Sequence, residues 1–427
     1  MQMSASEPRN RYAFAYQPVL DERQASVAVE LRYRLPPDSA QADPMQVANV
    51  IIGAFIHSGL DDLLRHRRAH VPANAALLAS SLPTLLPADH IVFELDAEVA
   101  GDAGALAACR ALKQRGFNLA WRACDFADTD VPAEWLALMD IVKFDVRHLN
   151  DAGFAARLAR LRQSPVRLQA CHVERREDFD LARRHGFTLF QGYYFAHPTE
   201  IAGARSDPDM LAVIDLLEKL AADADDPVIE AIFKDSPRLT LHLLRLVNSS
   251  AFALHPPIRS LKHAFAILGR RPLERWLHVL LFALDDSDGR SSPLMELALR
   301  RARFMEYILR YRTHATSSLL QDESYLTGIL SLADVLMNWP LAKVVERLHV
   351  ADEVKAALLE RTGPLGKLLT LCESLERVDF ETSEAIMAEL HLTLEEVMQS
   401  QNVAMVWAHG IVEPGAEDGT EDGAPAA

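Results

Sequence analysis

The first half of the chain alternates between short apolar runs and longer amphipathic stretches. Eight of the apolar runs have the composition typical of β-strands, and they lie at Tyr12–Leu20, Val27–Leu35, Ala69–Asn74, Ile91–Leu95, Asn118–Phe126, Ile141–Val146, Val166–Val173 and Phe187–Phe195. Stretches with helical periodicity separate most of these runs, at Asp43–Arg67, Ala100–Arg115, Asp151–Arg162 and Arg175–His185. The connection after the first run is short, and the stretch between the fifth and sixth runs is only weakly helical.

This alternation predicts a parallel sheet, because parallel strands must be joined by crossover connections. Eight such units predict a closed α/β barrel of the TIM type, with its functional groups at the C-terminal ends of the strands. The region has only about 190 residues, which is short for this fold, so we expect a trimmed or irregular barrel.

The second half of the chain is helical in pattern throughout. Ser260 is placed to cap a helix over Leu261–Leu268 that ends at Gly269. Pro340 interrupts the apolar pattern after a tryptophan, and Gly363-Pro364 forms a loop between two further helices. The pattern predicts an all-α domain of about ten short helices.

These patterns divide the chain into four segments. We predict a flexible N-terminus at residues 1–9, the barrel at 10–204, the helical domain at 205–409 and a disordered acidic tail at 410–427. The tail ends in VEPGAEDGTEDGAPAA, which has too few apolar residues to bury a core.

Composition limits the partners and the compartment. The formal net charge of -16 disfavours binding to nucleic acid, because an acidic surface repels the phosphate backbone. No run approaches the roughly 18 apolar residues of a membrane helix, and the first ten residues do not resemble a signal peptide. The four cysteines are widely spaced and form no CxxC pair, which is typical of a reducing cytoplasm. We therefore expect a cytoplasmic protein with no membrane partner.

Polar residues at the predicted strand ends occur in an order that resembles the EAL family of cyclic-di-GMP phosphodiesterases. The matching segments are Gln17-Pro18, Val29-Glu30-Leu31-Arg32-Tyr33-Arg34, Phe93-Glu94-Leu95, Asp125-Phe126, Ile141-Val142-Lys143-Phe144-Asp145 and Gln191-Gly192-Tyr193-Tyr194-Phe195. The resemblance covers roughly residues 10–200 and implies a two-metal phosphodiester hydrolase, in which carboxylates hold divalent cations that polarise the phosphate and activate water.

Several positions depart from the family's set of ligands. Glu30, Glu94, Asp125 and Lys143 match it, and Gln191 matches the final strand. A gapless alignment places Pro72 at the asparagine position, with Asn74 two residues further on. Two acidic ligands are replaced, at Cys124 and Cys171. Proline offers no side-chain ligand, and thiols are poorly suited to Mg²⁺ or Mn²⁺. We therefore predict a vestigial site that binds no metal or cofactor, and a chain that is not an enzyme.

Two alternatives involve the same end of the barrel. Glu30, Arg34 and the run Gln191-Gly192-Tyr193 match family positions near the nucleotide, so retained binding of cyclic-di-GMP is one of them. Cys124, Cys171 and His172, together with Glu94, could converge as a soft-metal or redox site. The plainer interpretation is that two small cysteines fill a vacated site.

The helical half resembles the HDOD domain, a relative of the HD hydrolases. The resemblance is carried by the stretch from Leu241 through Asn248-Ser249 to the Ser260-Leu261 helix and its Leu-Gly end, and by Tyr325–Asp334. The metal-binding His-Asp pair of HD enzymes is replaced by Ser331 and Leu332. Asn248 and Ser249 are candidates for a functional pair or, more plainly, for pinning a helix turn.

The order of the two domains resembles the EAL–HDOD signalling proteins, over about residues 10–408. The leading hypothesis is a non-catalytic regulator that binds a protein partner through the helical domain. The second is a receptor that binds cyclic-di-GMP without hydrolysis, and the third is an active phosphodiesterase.

Overall fold

The computed structural model describes residues 13–34, 64, 67–102, 104–123, 131–151, 153–197, 208–236, 239–240, 243, 269–283, 292–312, 318–337, 339–348 and 350–412. Several predicted features lie outside the described residues. They are most of the helix Asp43–Arg67, the Asn248-Ser249 pair, the capped helix Ser260–Leu268, the N-terminal segment 1–9 and residues 413–427 of the tail predicted at 410–427.

Eight strands form a closed barrel in which each strand pairs with the next and the last pairs with the first. They are β1 (Ala13–Asp21), β2 (Ser26–Arg34), β3 (Arg68–Pro72), β4 (Ile91–Leu95), β5 (Asn118–Arg122), β6 (Ile141–Asp145), β7 (Arg167–Cys171) and β8 (Leu189–Gln191). All pairs are parallel except those of β1, which runs antiparallel to β2 and β8. The short first connection explains this reversal, because a hairpin can join only antiparallel strands. The predicted barrel is confirmed.

Side chains inside the barrel lie in layers. One layer is apolar and contains Val19, Ala28, Val92, Ala120, Ile141 and Leu189. Two residues further along a strand, the side chain returns to the same face of the sheet. At that depth the residues on β2, β4, β5, β6 and β8 are Glu30, Glu94, Arg122, Lys143 and Gln191. The barrel therefore closes with an apolar layer beneath a polar layer.

Short helices and turns connect the strands. They are α1 (Ala75–Ala79), α2 (Ala97–Ala100), α3 (Ala105–Gln114), α4 (Ala133–Leu136), α5 (Phe154–Leu161) and α6 (Arg176–Arg184), with 3₁₀ turns at Leu82–Leu85, Val146–His148 and Tyr194–Ala196. In α5, Phe154, Leu158 and Leu161 are buried, the one-sided spacing of an amphipathic helix. The predicted helix Ala100–Arg115 is two helices, because the chain turns through Gly101 and Gly104.

The final strand is shorter than the predicted run Phe187–Phe195. Gly192 ends it with a φ of +147°, and a Cβ at this position would lie 2.1 Å from the carbonyl oxygen of Val173. Only glycine lets the two backbone segments pass this closely.

Helices make up the described part of the chain from residue 208 onward. They are α7 (Pro208–Ala221), α8 (Asp226–Asp235), α9 (Arg270–Ala283), α10 (Pro293–Arg312), α11 (Ser318–Leu330), α12 (Ala333–Met337), α13 (Leu341–Arg347), α14 (Asp352–Glu360), α15 (Gly363–Glu376), α16 (Phe380–Glu389) and α17 (Leu394–Val412). The all-helical prediction is confirmed, although α10 and α17 are long, with 20 and 19 residues. None of the helices in the described ranges is long and apolar enough to cross a membrane.

Two predicted helix breaks have different outcomes. Pro340 caps the N-terminus of α13 as expected. The predicted break between two helices at Gly363-Pro364 is present but lies two residues earlier, because α14 ends at Glu360 and α15 begins at Gly363. The chain turns earlier, at Arg361, which has a φ of +57°. Gly366 packs against that turn, and a Cβ on it would lie 2.3 Å from the carbonyl carbon of Arg361.

Contacts divide the chain into two compact units, and residues 370–402 group with the barrel. The hydroxyl of Tyr16 on β1 donates to Asn402 Oδ1 at 2.9 Å. Gln17 donates to the carbonyl oxygen of Glu376 at 3.0 Å, and Phe380 packs against Ala15. The barrel unit therefore includes a late segment of the chain.

Candidate functional site at the barrel mouth

Glu30, Glu94 and Lys143 meet in the polar layer near the C-terminal ends of β2, β4 and β6. The Lys143 ammonium donates to Glu94 Oε1 at 2.5 Å and also to Glu30 Oε2. All three side chains are fully buried. The structure thus brings together three of the predicted site residues as one ionic cluster, which we call the mouth cluster.

The charges in the mouth cluster stabilise one another. Burial by itself would raise the pKa of Glu94, but Lys143, His70 and Arg32 outweigh it and hold that pKa well below its usual value. Burial by itself would lower the pKa of Lys143, but the two glutamates raise it above its usual value. At neutral pH, Glu94 is therefore a carboxylate and Lys143 an ammonium.

Three further cationic or titratable side chains surround this cluster, and sequence reasoning missed them as site residues. Arg32 pairs with Glu30 through Nε. His70 Nδ1 lies 2.9 Å from Glu94 Oε1, and Arg122 Nε lies 4.0 Å from Glu94 Oε2. The two-residue repeat of a β-strand could have identified the two arginines, because Arg32 follows Glu30 by two positions and Arg122 precedes Cys124 by two positions.

A cavity of about 230 Å³ lies beside the mouth cluster, lined by Arg32, Pro72, Ala73, Asn74, Glu94, Asp96 and Arg122. The Asn74 side chain caps α1 by accepting from the backbone N–H of Leu77 at 2.8 Å, and the residue also lines the cavity. Pro72 pairs with Glu94 in the sheet and offers no side-chain donor atom.

The adjoining strands β7, β8 and β1 carry a chain of glutamines inside the barrel. Gln169 donates to Gln191 Oε1 at 3.0 Å, and Gln191 donates to Gln17 Oε1 at 2.8 Å. The buried Cys171 thiol lies 3.6 Å from the same Gln191 oxygen. Gln191 is only 2% exposed, so its amide is committed to this network. Tyr193 is also buried, with its hydroxyl 3.5 Å from the carbonyl oxygen of Tyr16.

The remaining predicted residues fall in two groups. Cys124 and Asp125 lie outside the described residues, and so does the side chain of Arg34. His172 is described, and its Nδ1 lies 2.9 Å from Asp145 Oδ2. Burial raises the pKa of Asp145, but hydrogen bonds from His172 and Arg147 outweigh burial and lower it.

The family resemblance implies bound divalent cations, and the donor atoms of the described residues show whether such ions fit. No group of three His, Cys, Asp or Glu side chains in the described ranges could hold a metal ion. The Lys143 ammonium lies between the only two carboxylates of the mouth cluster, and Pro72 and Cys171 supply no oxygen donor. The residues that the structure describes therefore do not fit a two-metal centre.

In the helical unit, Ser331 and Leu332 are the residues predicted to replace the His-Asp pair of HD hydrolases, and both are packed into the fold. Arg301 donates to Ser331 Oγ at 2.9 Å, and that hydroxyl donates to the carbonyl oxygen of Gly328 at 2.7 Å. Leu332 is buried. A separate cavity of about 270 Å³ opens between α7, α9, α11 and the segment around α14, with His278, Arg275 and Leu319 in its lining.

Comparison with known proteins places the chain in a family. A family model described as "HDOD domain" matches residues 208–362. The chain is 30% identical over 404 residues to a protein of Vibrio cholerae named "Cyclic di-GMP phosphodiesterase CdgJ", covering 93% of this chain and 92% of that one. The chain belongs to the EAL–HDOD family. Another relative is the uncharacterized protein YuxH of Bacillus subtilis, 27% identical over 422 residues, with 94% of this chain and 99% of YuxH covered.

Solved structures also resemble the barrel of this EAL–HDOD chain. An EAL domain protein from Listeria monocytogenes has 21% identity and a TM-score of 0.38, covering 46% of this chain and 93% of that one. A structure described as "PaMucR Phosphodiesterase, c-di-GMP complex" has 19% identity and a TM-score of 0.34, covering 43% and 94%.

These comparisons correct one prediction. The expectation that the chain is not an enzyme is wrong, because a relative matched over 93% of the chain is named a cyclic di-GMP phosphodiesterase. The expectation came from counting lost oxygen donors at Pro72, Cys124 and Cys171. The expectation gave too little weight to the matching residues Glu30, Glu94 and Lys143, which form an ionised cluster in the polar layer of the barrel.

Proposed function

We propose that this EAL–HDOD chain acts in cyclic-di-GMP signalling by binding the dinucleotide at the C-terminal mouth of its barrel and opening it to the linear form. The observation that carries the proposal is the mouth cluster of Glu30, Glu94 and Lys143 beside a cavity lined by two arginines. The name of the relative CdgJ supports hydrolysis as the reaction.

Hydrolysis requires an oriented water and cations that meet the charge developing on the phosphate. In this reaction, the water oxygen bonds to phosphorus while the ester oxygen leaves with a proton. Glu94 stays ionised and can accept a hydrogen bond from the water. Arg32 and Arg122 line the same cavity and can donate to the phosphate oxygens.

The test incubates the full chain with cyclic-di-GMP, in separate samples with Mn²⁺, Mg²⁺ or a chelator, and separates the products by chromatography. We expect linear dinucleotide to form and Glu94→Gln to abolish it. Calorimetric titration of the same samples measures binding directly. Absence of both linear product and binding heat in every sample rules out the proposal.

We propose a second role for the helical unit, the docking of a protein partner. Its support is Leu319, which is 59% exposed at the edge of the cavity of about 270 Å³. Exposed apolar side chains beside a groove are typical of helical recognition surfaces.

This role is tested by quantitative capture of partners from cell extract with three forms of the chain. We expect a specific partner to be lost with Leu319→Glu and retained with Leu85→Glu, a matched change at a leucine that is 73% exposed on the barrel unit. Equal capture by both variants contradicts the assignment.

A further inference from the structure

We propose that the cavity of about 270 Å³ in the helical unit, which we call the helical cavity, binds a lysine side chain presented by a protein partner. This inference rests on the docking role proposed for the helical unit, because it names the chemistry of the partner at that site. The observations that carry it are an excess of carboxylates in the lining, a buried histidine and an apolar wall.

The polar part of the lining comes from two helices. α9 contributes Arg271, Glu274, Arg275 and His278. Their spacing of i, i+3, i+4 and i+7 places them on one side of the helix. α11 adds two consecutive carboxylates, those of Asp322 and Glu323.

The cations of the lining are matched by carboxylates. Arg271 lies 3.6 Å from Asp322, and Arg275 lies 3.9 Å from the same carboxylate. Arg275 is also paired with Glu306, and Glu306 in turn pairs with Arg303 at 2.7 Å, so this outer pair adds no net charge. Three carboxylates and two guanidinium groups line the cavity, which gives the lining a formal charge of -1.

The excess negative charge lies on Glu274 and Glu323. Among the described residues, neither carboxylate has a hydrogen-bond or ion-pair partner. Burial raises the pKa of Glu274, and the nearby Asp322 raises it further while Arg271 lowers it. The pKa of Glu323 is raised by burial and by Glu353. A bound cation would offset the cost of both negative charges.

His278 adds a buried acceptor to the cavity. It is 5% exposed, and burial lowers its pKa to about 4, so the ring is neutral at neutral pH. One ring nitrogen donates to the backbone carbonyl of Glu274, and in a neutral imidazole the other nitrogen is an acceptor. That acceptor has no partner in the part of the chain that the structure describes.

These groups match the head of a lysine. A primary ammonium has three N–H donors and no acceptor. Glu274, Glu323 and His278 supply three acceptor groups in the lining of one cavity. A carboxylate or phosphate would instead meet the lining's excess negative charge.

The rest of the lining matches the stem of a lysine. It is apolar, with Leu217, Leu326, Leu348 and Val354 among its residues, and a lysine stem packs well on such a wall. The volume of about 270 Å³ is below the range of about 300–1,000 Å³ for pockets that enclose a drug-sized ligand. The helical cavity therefore accommodates a single side chain, while Leu319 at its edge is free to contact the partner around it.

The decisive measurement is saturation-transfer NMR of the wild-type full chain with the N-acetyl amides of lysine, norleucine and ε-acetyllysine. Norleucine keeps the apolar stem without the ammonium, and ε-acetyllysine keeps the nitrogen without its charge. We expect the lysine amide to bind with a dissociation constant of about 1 mM, as suits a ligand of this size, and the other two to bind at least about 10-fold more weakly. Equal binding of the lysine and norleucine amides, or no binding of the lysine amide, overturns the inference.

Variants locate the lysine site. Glu274→Gln should weaken binding of the lysine amide about 10- to 100-fold, the range for loss of a charged hydrogen bond. Glu346→Gln is the matched control, because Glu346 is exposed on α13 and does not line the cavity. Circular dichroism checks that both variants are folded. A folded Glu274→Gln protein that binds the lysine amide as tightly as Glu346→Gln contradicts the assignment.

The capture experiment with Leu319→Glu decides the docking role separately. If Leu319→Glu loses a partner but the wild type does not bind the lysine amide, the lysine site is overturned and the docking role stands. If the wild type binds the lysine amide but Leu319→Glu captures as much partner as Leu85→Glu, the docking role falls, and with it the claim that the lysine belongs to a protein partner.

Discussion

Replacing Lys143 by methionine should destabilise the barrel by about 3–5 kcal/mol at neutral pH, because it leaves the carboxylates of Glu30 and Glu94 buried without their shared counter-ion. Both carboxylates are fully buried, so water in the adjoining cavity compensates for only part of the lost ammonium. A loss of this size is a large fraction of the 5–15 kcal/mol that stabilises a typical domain.

The matched control is Lys113→Met. Lys113 also pairs with a carboxylate, Asp140, at 2.8 Å, but the two side chains are 30% and 32% exposed. Partly exposed ion pairs contribute about 0–1 kcal/mol. The same chemical change should therefore cost several times less at residue 113 than at residue 143.

The stability that Lys143→Met loses should depend on pH. In the wild type the pKa of Glu94 is held well below its usual value, so its stabilising contribution is present above the usual glutamate pKa and is lost as the pH falls through the lowered one. Replacing Lys143 removes the largest of the influences that lower the pKa of Glu94, so this pKa rises in the variant. The defect of Lys143→Met should therefore be greatest at neutral pH and shrink in acid.

Hydrogen-exchange mass spectrometry of the full chain is the assay, because it reports the opening free energy of β4 and β6 separately from that of the helical unit. Adding Glu30→Gln and Glu94→Gln to Lys143→Met should recover most of the loss, since no buried charge then remains unpaired. If Lys143→Met costs no more than Lys113→Met, the mouth cluster is not the ionic centre described above.

Two other predictions concern a glycine and a histidine. Gly192→Ala should lower the free energy of unfolding far more than Gly153→Ala does. Both glycines have a positive φ, but only at residue 192 does backbone lie within 4 Å of the new Cβ. Urea unfolding of the two variants measures the difference. Burial lowers the pKa of His278 to about 4. The free energy of unfolding of the helical unit should therefore fall by about 3 kcal/mol as the pH falls from about 6.5 to 4. In the variant His278→Gln, hydrogen exchange should show a weaker dependence of that free energy on pH.

Much of the barrel could be predicted from the sequence because its strands are continuous apolar runs. The bounds of β4 match the predicted run Ile91–Leu95. The end of β8 could not be predicted, because the stop at Gly192 depends on how closely the Val173 backbone passes, and that approach is a long-range contact.

The candidate site was predicted less completely than the fold. Glu30, Glu94 and Lys143 were found because they match family motifs. Arg32 and Arg122 were missed because a charged residue in a strand is normally interpreted as facing solvent. Their two-residue spacing from Glu30 and from the Cys124 position places them on the inward face of their strands, and the apolar layer of the structure confirms that face.

The hydrogen bond from Tyr16 to Asn402 joins residues 386 positions apart. During synthesis on the ribosome, this contact of the first strand of the barrel cannot form until 386 further residues have been made. Contacts of such long range slow folding, and incomplete chains expose apolar surface that promotes aggregation. Nascent chains of this protein should therefore depend on chaperones for longer than those of a barrel encoded in one continuous stretch.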